Sequence, residues 1–211
     1  MAKAEDVGTI GVLGAGNIGG TLGKKWAAAG YDVVFGVRDP QAEKVQQLLA
    51  ATDGRATATT VGEAVAAADV ILLAIPGSAV ADTVARLADV LDGKTIVDAT
   101  NNVGQAVMNS LALLGEYVPK AHCYRAFNNL GWENFADPVF GGVPADLFYC
   151  GPAGEARDTV AALIAAVGLR PIYVGDLDQA PVVDNLTRLW FALALEQGYG
   201  RHLAFKLLQP E

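Results

Sequence analysis

The 211-residue sequence has few cysteines, few positive charges and no long apolar run. Its two cysteines, Cys123 and Cys150, are far apart and have neither a CxxC partner nor a histidine at ligand spacing. This pattern argues against a zinc site and against a disulfide scaffold, and we expect two small buried side chains. Lysine and arginine number 15 against 23 acidic residues, giving a net charge of −8 without any basic run. That balance speaks against a nucleic-acid backbone or an anionic membrane as partner.

Apolar runs stay below the roughly 18 residues that a membrane span requires. The start of the chain, Met1–Asp6, is polar and lacks the apolar stretch of a signal peptide. We therefore expect a cytoplasmic protein that holds no metal and has no membrane partner. A hydrophobic content of 52% against 18% charged residues excludes a disordered chain and is ample for a buried core.

Short β-rich runs alternate with longer alanine-rich runs of helical composition. Strands are predicted at Val7–Leu13, Tyr31–Val37, Ala56–Thr60, Val70–Ile75, Lys94–Asp98, Val118–Ala126, Ala145–Cys150 and Pro171–Val174. Helices are predicted at Asn17–Ala29, Glu155–Val167 and Asp178–Leu195. Another helix is predicted to begin after Asp39 as N-cap, with Pro40 at its first position, and a further helix follows Pro76 and Gly77 and ends at about Leu91. This alternation predicts an α/β fold with a doubly wound, mostly parallel sheet and a small C-terminal helical extension. The segment Asn128–Pro144, rich in glycine and aromatic residues, is expected to be a long functional loop.

A glycine-rich turn follows the first predicted strand and opens the first predicted helix, which is the context of a dinucleotide-binding fingerprint. The turn consists of Gly14, Ala15, Gly16, Asn17, Ile18 and Gly19. Gly14 permits the tight turn, Gly16 lets a pyrophosphate approach the backbone, and Gly19 lets the helix pack closely on the strand. The helix N-terminus then supplies free N–H groups for the anion. A glycine turn without a ligand is the alternative interpretation. We expect residues 1–150 to form this Rossmann domain and residues 151–211 to form a small α/β part that completes a second-substrate pocket.

The end of the second strand distinguishes NAD from NADP. Val37 occupies the position at which an NAD site usually has a carboxylate, and Arg38 follows it. A guanidinium binds a 2′-phosphate through charge-assisted hydrogen bonds, so the sequence favours NADP, with Lys44 as a second charge. A solvated surface cation is the alternative for Arg38.

Acid–base candidates are few. His122 lies in a predicted apolar strand and His202 near the C-terminus, and neither has a partner at motif spacing. We expect both to be structural histidines, and no catalytic residue is assigned. Hydride transfer to a ring stacked on a nicotinamide depends on position and exclusion of water more than on a proton donor.

The sequence resembles the NADPH-dependent reductases of the deazaflavin coenzyme F-420 (also written F420) over nearly its whole length. The resemblance rests on Gly14–Gly19, Gly36–Pro40, Ala74–Pro76, Ala126–Asn129 and the tail Leu189–Leu208. It implies a homodimer in which NADPH lies across the strand ends and the deazaflavin stacks on the nicotinamide.

The resemblance also implies roles for particular residues. Ala74, Ile75 and Pro76 would contact the nicotinamide end, and Asn128 would line the pocket of the second ring, where some members have histidine. Ala15 and Val37 stand where the family often has threonine and serine, so NADP preference depends more heavily on Arg38.

Three functions remain open. The leading one is a hydride-transferring NADP oxidoreductase whose acceptor, held under the Asn128–Pro144 segment, is a deazaflavin. The second is an NADPH-dependent reductase of a small imine, carbonyl or flavin. The third is a non-catalytic module that binds NADP(H).

Overall fold

The computed structural model describes residues 7–210, so the polar start Met1–Asp6 and Glu211 lie outside the described residues. The strands are β1 (Ile10–Leu13), β2 (Val33–Val37), β3 (Ala56–Thr60), β4 (Val70–Leu73), β5 (Thr95–Asp98), β6 (His122–Arg125), β7 (Val139–Phe140), β8 (Val143–Pro144), β9 (Asp146–Cys150) and β10 (Arg170–Gly175). The helices are α1 (Asn17–Ala28), α2 (Glu43–Ala50), α3 (Val61–Ala67), α4 (Val80–Leu91), α5 (Leu111–Tyr117), α6 (Trp132–Ala136), α7 (Glu155–Val167) and α8 (Ala180–Phe191). A π-helical turn, Ala192–Glu196, continues α8.

Within residues 7–210, eight strands form one sheet in the order β10-β9-β6-β5-β4-β1-β2-β3. The six strands from β3 to β6 are parallel, whereas β9 pairs antiparallel with β6 and parallel with β10. The chain leaves β1 toward β2 and β3 and then crosses to β4 on the other side of β1. This reversal opens a crevice at the carboxyl ends of β1 and β4, where doubly wound sheets bind ligands. The predicted doubly wound, mostly parallel α/β fold is confirmed.

Helices cover both faces of the sheet, which explains why β1 and β4 are apolar at every position and fully buried. One core lies under α1, α2 and α7 and includes two tryptophans, Trp26 and Trp190. The other lies under α3, α4 and α5 and includes Leu13 and Ile71. No helix within residues 7–210 combines the length and the apolar character needed to cross a membrane.

The predicted N-cap at Asp39 is wrong. Helix α2 begins at Glu43, with Ala42 as its N-cap residue. The Asp39 carboxylate instead accepts a hydrogen bond of 2.9 Å from the Gln41 N–H. Pro40 therefore lies in a local turn that competes with the helix start, because a short aspartate side chain readily bonds the backbone two residues ahead.

Two further sequence expectations are wrong in their extent. The segment Asn128–Pro144 is not a structureless loop, since it contains α6 and the β7–β8 hairpin. The predicted strand Val118–Ala126 shortens to β6, because helix α5 ends at Tyr117 just before it.

Candidate functional site

The glycine turn lies at the crevice between β1 and β4. Gly14 has a φ of +101°, and a Cβ added there would lie 2.6 Å from the Ala74 carbonyl oxygen at the end of β4. A side chain at this position would therefore collide with backbone and also be strained. A Cβ at Gly19 would overlap the Gly14 carbonyl oxygen and press on Val12. Gly14 and Gly19 thus hold the first turn of α1 tightly against β1.

Gly16 differs from these two glycines. It is the N-cap residue of α1 in an extended conformation, and a Cβ built on it would meet no atom within 4 Å. The N–H groups at the start of α1 have no partner within the helix, and its first turn contains no acidic residue. Open space in front of free N–H groups at the positive end of a helix dipole fits a pyrophosphate.

A cavity of about 340 Å³ adjoins the turn on the β4–β5 side. Its lining consists of Gly16, Asn17, Ile18, Ala74, Ile75, Pro76, Gly77, Ala99, Thr100 and Asn101. The structure thus brings the Ala74–Pro76 segment together with the glycine turn. The contributions of Ala99, Thr100 and Asn101 were missed, although all three follow strand β5, whose end must meet this edge of a parallel sheet.

A second hollow, of about 300 Å³, lies between α1, α2 and Trp132. It is lined by Ala15, Gly16, Asn17, Gly20, Thr21, Lys24, Lys44, Gln47, Leu48, Ala51 and Trp132. No carboxylate belongs to this lining, and neither lysine forms a hydrogen bond or ion pair with another residue of the 7–210 range. Lys24 was not among the predicted site residues, although it lies seven residues after Asn17 and therefore on the same helix face.

The end of β2 lies next to the turn, because the Gly14 N–H donates to the Gly36 carbonyl at 3.0 Å. Val37, the last residue of β2, is buried, whereas Arg38 is exposed. The Arg38 guanidinium has no hydrogen-bond or ion-pair partner among the described residues. Arg38 lines neither of the two cavities, and its role beside a 2′-phosphate stays a prediction.

Asn128 does not line either cavity. It is 2% exposed and follows Phe127, a buried aromatic residue with a φ of +59°. Its side-chain nitrogen donates to the Thr187 hydroxyl at 2.9 Å, and its carbonyl accepts from the Asn101 side chain at 3.0 Å. Asn128 therefore lies behind Asn101, and its role beside a second ring stays a prediction.

A buried ion cluster lies directly behind the β4–β5 cavity. The Arg125 side chain is fully buried between Asp98 and Asp184, with a distance of 2.8 Å from Nη2 to the Asp184 carboxylate. The same guanidinium donates to the Thr100 carbonyl at 2.5 Å and to the Asn101 side-chain oxygen at 2.9 Å. No local sequence pattern predicts this cluster.

Among residues 7–210, the remaining titratable groups place no nucleophile or proton shuttle at the crevice. Burial, reinforced by Asp98, raises the pKa of the Cys123 thiol to about 12. Burial likewise raises the pKa of the Cys150 thiol to about 12, so both cysteines stay protonated and unreactive. His122 is exposed at the start of β6, not enclosed in an apolar strand as expected, and His202 contacts the Asp137 carbonyl at 3.0 Å.

The aromatic residues of the Asn128–Pro144 segment mainly cover the core. Phe135 is fully buried and packs edge-on against Phe127 at a centroid distance of 5.7 Å. Phe140 stacks on His202 at 4.5 Å, and Trp132 borders the hollow that contains the two lysines. The crevice therefore combines an anion cradle with a mainly apolar cavity and suits chemistry that a bound cofactor performs.

Comparison with known proteins also indicates a cofactor-dependent oxidoreductase. Residues 9–102 match the family model described as NADP oxidoreductase coenzyme F420-dependent. An F420-dependent NADP reductase from Methanothermobacter marburgensis is 28% identical over 208 residues, covering 89% of this chain and 92% of that protein.

Two further similarities differ in extent. The rat metalloreductase STEAP3 is 28% identical over 182 residues, and the match covers 84% of this chain but about a third, 36%, of that protein. A crystal structure of a candidate F420-dependent NADP reductase from Arthrobacter sp. FB24 superimposes with a TM-score of 0.82 at 24% identity. It covers 96% of this chain and 100% of that chain, which shows a shared fold.

Proposed function

We propose that this chain, whose residues 9–102 match the family model described as NADP oxidoreductase coenzyme F420-dependent, transfers a hydride between NADP(H) and coenzyme F420. The observation that supports this most strongly is the geometry of the glycine turn. Gly14 and Gly19 leave no room for a Cβ, whereas Gly16 faces open space. Packing alone would account for the first two glycines but gives no reason for the third, whereas a pyrophosphate against the backbone does.

The cationic residues beside the turn would hold the 2′-phosphate. Arg38 supplies a planar fork of donors at the end of β2, and Lys44 faces the hollow beside Ala15. The chain has a net charge of −8, so unpaired cations beside the turn are the feature that would select NADPH over NADH. A 2′-hydroxyl gains little from them, so we expect NADPH to bind more tightly than NADH.

The cavity formed by Ala74–Pro76 and Ala99–Asn101 would hold the nicotinamide. Ile75 and Pro76 present apolar surface there, which orients a flat ring and excludes water. When bound, NADPH supplies a hydride from its nicotinamide, so the acceptor gains two electrons and NADP⁺ remains. The scarcity of acid–base groups suits this reaction, because the protein has only to align two rings.

The F420 assignment is supported by the family description and by the Methanothermobacter reductase, 92% of whose length is matched. A small imine, a carbonyl compound or a flavin is the competing acceptor, and a non-catalytic NADP(H)-binding module is the competing function. Oxidation of NADPH with F420 but not with a panel of imines, carbonyl compounds and flavins supports the proposed function. Oxidation with a member of the panel but not with F420 supports the competing acceptor, and no oxidation with either supports the non-catalytic module.

We also propose that the C-terminal part, residues 151–211, forms the surface of a homodimer. Tyr173, Val182 and Leu189 are 38%, 49% and 46% exposed and lie on one apolar surface with the half-buried Leu186. We call these four residues the α8 face. Exposed apolar surface of this kind is typical of association sites.

The cofactor claim is tested by titrating the protein with NADPH and NADH. Replacing Arg38 by alanine is expected to raise the Kd for NADPH about 10- to 100-fold, the range for a lost charged hydrogen bond, and to leave NADH unchanged. Arg55→Ala is the matched control: this exposed arginine precedes β3 and therefore lies at the amino ends of the strands, opposite to the glycine turn, so the substitution is expected to change neither value. A preference for NADH that Arg38→Ala does not alter would overturn the assignment.

A further inference from the structure

Arg125 is buried to 0% exposure, which is unusual for an arginine and requires that its charge be paired. Two carboxylates flank it: Asp98 on the next strand at 3.5 Å and Asp184 on α8 at 2.8 Å. Both carboxylates have other donors as well. Asp98 accepts from the Ser110 N–H at 2.7 Å, and Asp184 accepts from the Asn109 side chain at 2.7 Å.

The guanidinium also reaches the wall of the β4–β5 cavity. It donates to the Thr100 carbonyl and to the Asn101 side-chain oxygen, and both residues line that cavity. The Asn101 nitrogen donates in turn to the Asn128 carbonyl. Both polar atoms of the Asn101 side chain are therefore occupied within the protein: Arg125 holds the oxygen, and the Asn128 carbonyl holds the nitrogen.

These contacts join elements that are distant in sequence. Arg125 connects the end of β5 to α8, while Asn109 connects the loop after β5 to the same Asp184 carboxylate. An arginine that served only to support the core would need its ion pairs but no contact with the cavity wall.

We propose that Arg125 is a positioning residue, which holds Thr100 and Asn101 in the conformation that receives the nicotinamide ring and couples that wall to α8. The proposal rests on the proposed function, because it assigns the β4–β5 cavity to the nicotinamide. Lysine in place of arginine keeps the charge between Asp98 and Asp184, but a single ammonium cannot also reproduce the planar fork to Thr100 and Asn101.

The test compares two ligands in the full-length protein: NADPH, and 2′,5′-ADP, which has the adenosine end but no nicotinamide. In the wild type NADPH is expected to bind more tightly and to show the changed nicotinamide fluorescence of an enclosed ring. The NADPH advantage is the Kd for 2′,5′-ADP divided by the Kd for NADPH. Arg125→Lys and Asn101→Ala are each expected to lower this ratio about tenfold, with the Kd for 2′,5′-ADP changed less than about twofold. The double variant is expected to lose no more than Arg125→Lys alone, because Arg125 acts through Asn101.

Arg170→Lys is the matched control, because Arg170 also forks onto a fully buried aspartate, Asp146, but at the far edge of the sheet. It is expected to leave both affinities unchanged. The proposal is overturned if Arg125→Lys keeps the wild-type NADPH advantage, if it weakens 2′,5′-ADP equally, or if the two substitutions are additive. A wild type that binds neither ligand would instead overturn the proposed function itself.

Discussion

Three glycines in one turn have three different physical roles. Gly14 adopts a positive φ beside the Ala74 carbonyl, and Gly19 lies too close to the Gly14 carbonyl to carry a Cβ. Gly16, in contrast, has open space in front of it. The first two positions concern the packing of α1 on β1, and the third is assigned to the approach of a pyrophosphate in the proposed function. Substitutions at Gly19 and Gly16 should therefore affect stability and binding differently.

Gly19→Ala is expected to lower the free energy of unfolding by about 1–3 kcal/mol, because the new methyl group must displace backbone at the turn. The same shift should weaken NADPH binding. Denaturant titration and ligand titration measure the two effects. Gly115→Ala is the control, since Gly115 lies in α5 with nothing within 4 Å of an added Cβ, and it is expected to stabilise the protein slightly. Equal effects of the two substitutions would contradict this account of Gly19.

The glycine turn could be predicted at the residue level because its pattern is local, and Arg38 because it follows a recognisable strand end. The cluster around Arg125 could not, because its partners Asp98 and Asp184 lie 27 and 59 residues away in the chain. Only the pairing of β5 with β6 and the packing of α8 bring the three together. Asn128 was identified by resemblance, but the same folding places it behind the cavity wall.

Among the elements, the tail that follows α8 is attached along its length. The Trp190 indole donates to the Leu203 carbonyl at 3.0 Å, and the Leu207 N–H donates to the Asp146 carboxylate at 2.6 Å. Arg170 and Lys206 contact the same carboxylate at 2.7 and 2.9 Å. One buried aspartate at the start of β9 therefore fixes both the last strand and the tail.

Asp146→Asn is expected to release the tail and lower Tm by about 2–6 °C, because Arg170 and Lys206 lose their common partner. Scanning calorimetry and hydrogen exchange of residues 203–207 measure the two effects. Asp158→Asn, which breaks only an exposed pair with Arg157, is expected to change Tm little. An unchanged tail in Asp146→Asn would contradict the role given to this aspartate.

The pH dependence of the same contact has a definite sign. Burial alone would raise the pKa of Asp146, but hydrogen bonds from Arg170, Leu207 and Lys206 outweigh it and hold that pKa below its ordinary value of 3.8. The stabilisation is therefore complete above the ordinary value and is lost as the pH falls through the lower, folded-state value.

Most strand positions were predictable because a parallel sheet covered on both faces selects continuous apolar runs. The strand Ala56–Thr60 and the helix Glu155–Val167 agree with the structure at both ends. Helix α6 was not predictable from local pattern, because it has only five residues and is held by the burial of Phe135. At Asp39, one local preference, a turn, overrode another, a helix cap.

At the scale of the whole molecule, the high apolar content is only partly explained by one chain. The α8 face leaves Val182 and Leu189 about half exposed beside an apolar hollow of about 540 Å³. A second copy that covers this face would account for the excess. It would also stabilise α8, which carries Asp184 behind the cavity wall.

We expect the wild type to have about twice its chain mass of 21.9 kDa in light scattering after size-exclusion chromatography. Leu189→Glu should convert it to a folded monomer, because a charge buried in an apolar interface lacks a partner. Val90→Glu, at a valine of α4 that is 42% exposed, is the control and should not alter the mass. A monomeric wild type, or a Leu189→Glu variant that still dimerises, would contradict the placement of the interface.

Direct hydride transfer between a nicotinamide and a deazaflavin can be followed by deuterium tracing. NADPH labelled with deuterium at nicotinamide C4, separately on each face, is mixed with the protein and oxidised F420, and the reduced F420 is analysed by mass spectrometry. If the hydride is transferred directly, one of the two labelled forms yields reduced F420 carrying one deuterium, and the other yields reduced F420 carrying none. Reduced F420 without deuterium from either form, or no reduction of F420 while NADPH is bound, would contradict direct transfer.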